Sequence, residues 1–342
     1  MRSLSLRSLT ALGSRSLCTP SSGHSWIRSL LLLPRSMAVH TSHTGHPSIS
    51  TLPRGSEHTP DFRIYFRNEK GQFISPFHDV PMIHDPSKNI FNAAIEVPKW
   101  TNAKMEISLK DELNPIRQDI KKGKLRYVAN CFPYKGYIWN YGFIPQTWED
   151  PEHVDPSTHC KGDGDPIDLC EIGQQVHPRG SIVQTKILGT LALVDEGETD
   201  WKILAIDVED PLSEVLHDIE DIQKYMPGFI EATVDWFRIY KIPDGKPPNV
   251  FAFDGKPRDR AFALNILSEL HHQWKSLMNR SDEKVPDSIS RACTSLSGSV
   301  DSSLIFKQEL ASQVVDSREP HDPPREALSS VIDKWHFVGD RH

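Results

Sequence analysis

The first 56 residues lack both acidic side chains and lysine, and Glu57 is the first carboxylate of the chain. Long apolar runs are absent throughout. The runs are as short as Leu30 to Leu33, far below the roughly 20 apolar residues that cross a bilayer. With a mean hydropathy of −0.45, the sequence predicts no membrane span and a soluble mature protein. A basic excess is absent as well. The net charge is −7 and the pI near 6.1, which argues against a nucleic-acid binder, whose footprint is usually a basic surface. A phosphate-bearing substrate stays open if metal ions bring the positive charge. The five cysteines, Cys18, Cys131, Cys160, Cys170 and Cys293, contain no C-x-x-C pair, so neither a disulfide framework nor a zinc site is indicated. They read as reduced intracellular thiols that pack as small hydrophobes.

The chain of 342 residues is long enough for one large domain with extensions. The leader holds Arg2, Arg7, Arg15, Arg28, Arg35 and Arg54 among many serines. Arg-rich, Ser-rich and acid-poor is the composition of a mitochondrial transit peptide. Leu4, Leu6, Leu9 and Leu12 can share one face of a short helix, with the arginines elsewhere. We therefore expect a transit peptide over 1–35 and a linker over 36–60. A compact core is expected over 61–280. A mostly flexible extension is expected over 281–342, where Ser, Asp and Pro dominate and 315–330 shows no period. Two apolar groups in that extension, Leu304-Ile305-Phe306 and Trp335-His336-Phe337-Val338, fit either docking on the core or a free tail.

Within the core, β-rich or alternating segments occur at Asn92 to Val97, Met105 to Ser108, Leu125 to Val128, Ile167 to Ile172, Ile182 to Val194, Trp201 to Val208 and Val234 to Ile242. Helical spacing of apolar residues predicts two helices, Leu212 to Met226 and Arg258 to Arg280. Many short strands with two late helices predict an α+β fold, predominantly β, built on a closed or partly closed barrel. Helices do not alternate with strands, which disfavours a doubly wound parallel sheet.

Two acidic clusters stand out. Asp163-Gly164-Asp165-Pro166-Ile167-Asp168 carries three carboxylates in a stiff turn that leads into a strand. Converging anions repel unless a cation sits between them, and oxygen donors of this kind suit Mg²⁺ or Mn²⁺. An EF-hand is excluded, because positions 5 and 12 counted from Asp163 are Ile167 and Gln174. A solvated acidic turn is the alternative. The second cluster, Asp195-Glu196-Gly197-Glu198-Thr199-Asp200, joins two apolar strands and reads as a hairpin. Asp200 and Lys202 lie two apart on a strand and so share a face, where one could hold a metal and the other a phosphate. Lys104 and Glu106 share a face in the same way. Arg126, Tyr137, Tyr141, Tyr240 and Lys241 add groups that neutralise phosphate or donate to it. Singly, each is more often a surface charge or a packed ring.

Taken together, the ordered motifs resemble the family I soluble inorganic pyrophosphatases, most closely the animal and fungal type. They are Glu96 to Glu106, Gly136 to Gly142, D-G-D-P-I-D, D-E-G-E-T-D-W-K and F-R-I-Y-K-I-P-D-G-K-P, and the likeness covers about 62–280. With the Arg-rich leader and the Trp335-His336-Phe337 ending, it is strongest to vertebrate mitochondrial members. The resemblance implies a five-stranded OB-like β-barrel with flanking helices, several Mg²⁺ ions per site with Mn²⁺ as a substitute, a homodimer, and the mitochondrial matrix. It implies that Asp163, Asp168 and Asp200 hold one metal, with Asp168 reaching a second, and that Asp195, Asp200 and Glu106 serve the metals arriving with substrate. Asp165 matches the general base. Lys104, Arg126, Tyr141, Lys202, Tyr240 and Lys241 match phosphate ligands, and Glu96 and Tyr137 support the site. The reaction implied is hydrolysis of pyrophosphate to two phosphates by in-line attack of a metal-activated water. One departure is Gly164, where animal and fungal members usually carry Asn and Gly is similar to the bacterial pattern. Two other classes compete: an OB-type module for single-stranded nucleic acid, which the acidic motifs oppose, and a phosphohydrolase of other substrates, which the resemblance opposes.

Overall fold

The computed structural model describes residues 49–294, 302–322 and 330–339. The expected leader and most of the expected linker lie outside the described residues. Nine strands carry the architecture: β1 Ser50–Arg54, β2 Arg63–Arg67, β3 Ile90–Val97, β4 Met105–Ile107, β5 Ile116–Gln118, β6 Asn140–Phe143, β7 Asp168–Glu171, β8 Ile182–Asp195 and β9 Glu198–Asp207. Among the described residues four helices of at least seven residues accompany them: α1 Ile219–Tyr225, α2 Phe229–Ile239, α3 Arg260–Asn279 and α4 Gln308–Asp316.

Five of these strands close on themselves. β3 pairs with β6, β6 with β7, β7 with β9, β9 with β8, and β8 with β3, so the ring has no open edge. Only β7–β9 is parallel. This is the expected α+β, predominantly β architecture with an OB-like five-stranded barrel. Closure depends on the length and bend of β8. Its start pairs with β3, its remainder with β9, and the register shifts between Ile187 and Gly189. A bulge there turns the strand. Gly189 is required at the bend, since a Cβ would lie 2.3 Å from Ile219 Cδ1 and 2.5 Å from the Arg258 carbonyl oxygen. The β8–β9 hairpin turns on Glu196 and Gly197, with φ of 51° and 95°. Two positive φ values are the signature of the tight turn that matches strand twist.

Alternation gives each strand two faces. Ile203 and Ala205 of β9, with Leu169 of β7, pack against Ala263, Ile266, Leu267 and Leu270 of α3. Burying each large side chain there contributes roughly 1.5–3 kcal/mol. Leu204 and Ile206, with Cys170, Leu191 and Leu193, face the core shared with α1 and α2. A second sheet, in the order β1-β2-β5-β4, flanks the barrel.

Two expectations, one of a strand and one of a helix, change. Val234 to Ile242 is not a strand: residues up to Ile239 belong to α2, which buries Ile230, Thr233, Val234, Trp236 and Phe237. Its β-branched and aromatic residues mimic a strand, but their burial follows the turn of a helix. The expected single helix 212–226 is a 3₁₀ turn over Pro211–Glu214 and then α1. Asp218 caps α1 in a capping box with Asp221, which starts a new helix mid-segment.

The ordered fold also reaches beyond 61–280. β1 pairs with β2 along its whole length, from Ser50↔Arg67 to Arg54↔Arg63. In the supposed flexible extension, α4 buries Ala311 and Val315 against Tyr65, Phe73 and Leu113. Trp335 and His336 pair in parallel with Asn130 and Cys131. Short apolar groups spaced along a polar tail make these contacts, with Ala311 and Val315 buried and Trp335 and Phe337 left largely exposed.

A buried imidazole ties three of these parts together. Trp274 Nε1, which can only donate, bonds His78 Nδ1 at 3.0 Å, so His78 Nε2 carries the proton and donates to the Ser290 carbonyl oxygen at 2.9 Å. Burial, and then Arg291, hold its pKa down at about 4, against the Ser290 bond and the nearby Asp79, which raise it. A histidine kept neutral in the fold stabilises it fully above the unfolded pKa of 6.5, and that stability is lost as pH falls from 6.5 to 4. The expected loss is on the order of 3 kcal/mol. Urea unfolding at pH 7 and pH 4.5 tests this: His78→Leu should have a shallower pH dependence than the wild type by about one proton, and parallel curves would exclude the effect.

Candidate active site

The alternation that builds the barrel also builds one end of it. Across β7 and β9, Asp168 lies opposite Lys202 and Cys170 opposite Leu204. Across β8 and β9, Leu193 lies opposite Asp200 and Leu191 opposite Lys202. Tyr141 of β6 lies opposite Cys170. One barrel face therefore runs from apolar residues into a charged rim. That rim opens into a cleft of about 470 Å³.

The 163–165 turn is pinned to the segment before it. Asp163 Oδ1 accepts the Asp165 N–H at 2.9 Å. Gly164 N donates to the Glu149 carbonyl oxygen, Glu149 N donates to that of Asp165, and Trp148 Nε1 donates to that of Gly164, each at 2.9 Å. Gly162 permits the approach, since a Cβ would lie 2.4 Å from the Glu149 carbonyl carbon. Gly164 has φ +90°, a conformation glycine adopts without strain and Asn tolerates better than most residues. Either residue then preserves the turn, and the departure from the animal and fungal pattern leaves the carboxylates in place.

The pinned turn brings Asp163 beside Asp200 and beside a carboxylate the sequence did not single out, Glu149. Oxygens of these three lie within 4.8 Å of one another. Glu149 is buried and accepts the Trp201 N–H at 3.2 Å. In the sequence it looks like one more polar residue of a Trp-Glu-Asp-Pro loop, and only its burial marks it. Burial, and then Asp163 and Asp200, push the Glu149 pKa well up. Burial, followed by Asp165 and Asp200, does the same to Asp163. Burial raises Asp200 to about 7 despite Lys202. Asp165 stands in the open cleft, where the surrounding walls thin its hydration. That desolvation, against Lys104 and with Glu106 and Asp168, raises it to about 6.

Cations and phenols face these acids. Lys202 Nζ bonds Asp168 and Asp200, and lies 3.1 Å from Tyr141 Oη. Lys241 bonds Asp195. Lys104 Nζ is 2.7 Å from Glu106 Oε2. Burial disfavours the Lys104 charge, but Glu106 and Tyr137 outweigh it and raise its pKa. Arg126 Nη1 is 3.0 Å from Asp119 Oδ2, and Lys104 Nζ is 3.8 Å from the same oxygen. Asp119 was also missed in the sequence, and it orients both cations. Glu96 lies buried beneath, its Oε1 accepting the Ile107 N–H at 2.6 Å. Tyr240 and Lys241 follow the last residue of α2 rather than ending a strand. Trp236, one helical turn earlier, stacks on Tyr240 with ring centroids 4.7 Å apart. Every candidate except Tyr137 lines the cleft. Tyr137 is buried behind it, with its ring 5.1 Å from that of Tyr141, and burial raises its pKa to about 12.

An all-oxygen cage of mutually repelling carboxylates, two buried and one half-buried, fits a hard divalent cation, which would relieve the repulsion that lifts their pKa values. With lysines, an arginine and tyrosines opposite, the arrangement belongs to the class of enzymes that handle phosphoanhydrides. The family model described as inorganic pyrophosphatase matches residues 93–275. An inorganic pyrophosphatase of Drosophila melanogaster is 52% identical over 288 residues, covering 84% of this chain and 83% of the relative. A Mus musculus protein named as a mitochondrial inorganic pyrophosphatase is 53% identical over 245 residues, covering 67% of this chain and 74% of its own. The solved inorganic pyrophosphatase of Schistosoma japonicum superposes with TM-score 0.77 at 42% identity, over 84% of this chain and 100% of that one. The chain belongs to the inorganic pyrophosphatase family. It is an enzyme, a hydrolase of the phosphoanhydride bond of inorganic pyrophosphate.

Glu149→Gln keeps an acceptor for the Trp201 N–H and removes one negative charge. The expected result is a roughly ten- to hundredfold loss of Mg²⁺ affinity, read by titration calorimetry. Unchanged affinity would remove Glu149 from the cage.

Proposed function

We propose that this chain hydrolyses pyrophosphate in the mitochondrial matrix with Mg²⁺, by in-line attack of water on one phosphorus. The observation that supports it most is the meeting, in one cleft, of carboxylates from 163–168 and 195–200 with the cations of three other segments. Asp163, Asp168 and Asp200 would hold one Mg²⁺. Asp168 would reach a second, and Asp195, Asp200 and Glu106 would serve those carried by substrate. Mn²⁺ is a possible substitute. Bound, the metal supplies Lewis acidity that brings the pKa of water toward neutrality.

The chain's own groups do the rest. Asp165 takes the proton of the attacking water, and its pKa near 6 suits a base that works close to neutral pH. The water oxygen bonds to phosphorus as the bridging P–O bond breaks, giving two phosphates. Lys104, Arg126, Lys202 and Lys241 neutralise the oxygens that gain charge, while Tyr141 and Tyr240 donate hydrogen bonds to them. Glu96 and Tyr137 hold these groups from behind. The Arg-rich, acid-free leader and the mitochondrial relative support the matrix location.

Phosphate release from pyrophosphate and from ATP, each with Mg²⁺, tests the reading, which expects strong preference for pyrophosphate. Asp165→Asn should lower kcat about 10²- to 10⁴-fold while Mg²⁺ still raises the melting temperature. Near-normal turnover would remove Asp165 from the base role.

The proposal includes a homodimer. Phe132, Trp335 and Phe337 are 51%, 40% and 79% exposed. The Phe132 ring lies 5.9 Å from Trp335 and 5.6 Å from Phe337, forming an aromatic patch that a second copy would cover. Phe337→Asp should yield monomers in sedimentation equilibrium, and a retained dimer would move the interface elsewhere.

A further inference from the structure

Some polar groups of the cleft are left over once that chemistry is accounted for. Lys110, Arg117 and Ser288 line it together with Glu106, and none of the three has a role in the proposed hydrolysis. They come from adjoining segments. Arg117 of β5 lies opposite Glu106 of β4. Ser108 N donates to the Pro115 carbonyl oxygen at 2.8 Å, and Ser290 N to that of Leu109 at 2.7 Å, so the stretches that carry Lys110, Arg117 and Ser288 are stitched to one another. Strand alternation and direct cross-strand pairing put Lys104, Glu106 and Arg117 on one face, so Arg117 is turned to the cleft as the other two are.

Charge does not balance in this part of the cleft. Glu106 is taken by Lys104 at 2.7 Å, while Arg117 Nη2 stands 4.0 Å from its other oxygen, too far for a hydrogen bond. Arg117 Nε is buried and has no hydrogen-bond partner, which is costly unless a ligand supplies one. Asp111, which also feels the Arg117 charge, is already bonded by Arg63 at 2.7 Å. Among the described residues, neither Lys110 nor Ser288 makes a side-chain hydrogen bond or an ion pair. Two cations and a hydroxyl therefore stand unmatched here, in a chain whose net charge is −7.

We propose that Lys110, Arg117 and Ser288 form a second oxyanion subsite, separate from the phosphate ligands of the hydrolysis, and that it takes inorganic phosphate. A guanidinium fork and an ammonium give charge-assisted bonds to phosphate oxygens, and the hydroxyl donates to one more. Phosphate is what the cleft releases, so the choice of ligand rests on the pyrophosphatase reading, whereas the unmatched cations do not.

The test counts inorganic phosphate bound to the full chain by equilibrium dialysis, with Mg²⁺ present to offset the acidic cage of the same cleft. It compares the wild type with Lys110→Gln and Lys110→Gln/Arg117→Gln. In the double variant one phosphate per chain should bind about tenfold or more weakly, the loss expected for bonds to charged groups. The KM for pyrophosphate should move much less. Unchanged phosphate binding would overturn the subsite. So would a rise in that KM equal to the loss of phosphate affinity, since it would place these residues among the ligands of the substrate. Lys110 is exposed, so Lys110→Gln stands in if the double variant folds poorly, with about threefold weaker binding expected and no change counting against. A wild type that binds the extra phosphate but leaves pyrophosphate intact would sink the pyrophosphatase reading alone, whereas an active wild type without it sinks the subsite alone.

Discussion

Repulsion between carboxylates governs the design of this molecule. Glu149, Asp163 and Asp200 are held with oxygens no more than 4.8 Å apart, and two are buried. At an effective dielectric of about 20, each such pair of charges repels by roughly 3 kcal/mol. No sequence of this composition would gather them unless the backbone left no alternative and a cation could later take up the charge. Lys202 already sits between Asp168 and Asp200. It neutralises part of that charge within the fold itself.

The backbone that enforces this is over-determined. A ring of five strands has no edge along which β7 or β9 could slip, and a slip of one residue would turn Asp200 and Lys202 away from the cleft. The bulge before Gly189 bends β8 so that it can close the ring. The 148–150 segment and the 163–165 turn exchange backbone hydrogen bonds, so the acidic turn cannot relax by swinging into solvent. Strain of like charge is thus stored in a frame whose cohesion comes from the apolar faces against α2 and α3.

How much of this was legible in the sequence follows from how local each signal is. Asp200 and Lys202 share a face because strand alternation is a property of neighbouring residues, and the hairpin was visible in Glu196-Gly197. The acidic turn at 163–168 was visible because Gly164 and Pro166 mark a turn, the first by its freedom and the second by its fixed φ. Glu149 was not, since its role arises only when residues fourteen and fifty-one positions further on fold against it. Asp119 was hidden for the same reason. Residues 236–239 looked like a strand because Trp, Phe and Ile favour sheets, and only packing against Trp139 and Tyr137 makes the helical spacing decisive. The tail looked unstructured because its contacts are few and far apart, and residues distant in sequence, such as Tyr65, Phe73 and Leu113, supply them.

The helical origin of Tyr240 and Lys241 bears on how the two halves of the site cooperate. The carboxylates of 163–168 and 195–200 come from the barrel and its turns, whereas Tyr240 and Lys241 follow a helix that packs on the barrel through Trp236 and Phe237. Trp139 Nε1 bonds Thr233 Oγ1 at 3.0 Å and Trp236 Nε1 bonds the Gly136 carbonyl oxygen at 2.8 Å, so α2 is registered on the segment that leads into the strand presenting Tyr141. Tyr240 and Lys241 are therefore positioned by aromatic packing and the 163–165 turn by backbone hydrogen bonding. These forces respond differently to bound charge: a cation entering the acidic cage releases repulsion there without disturbing the packed rings. A change of charge in the acidic cage is thus separated from the packing that sets Tyr240 and Lys241.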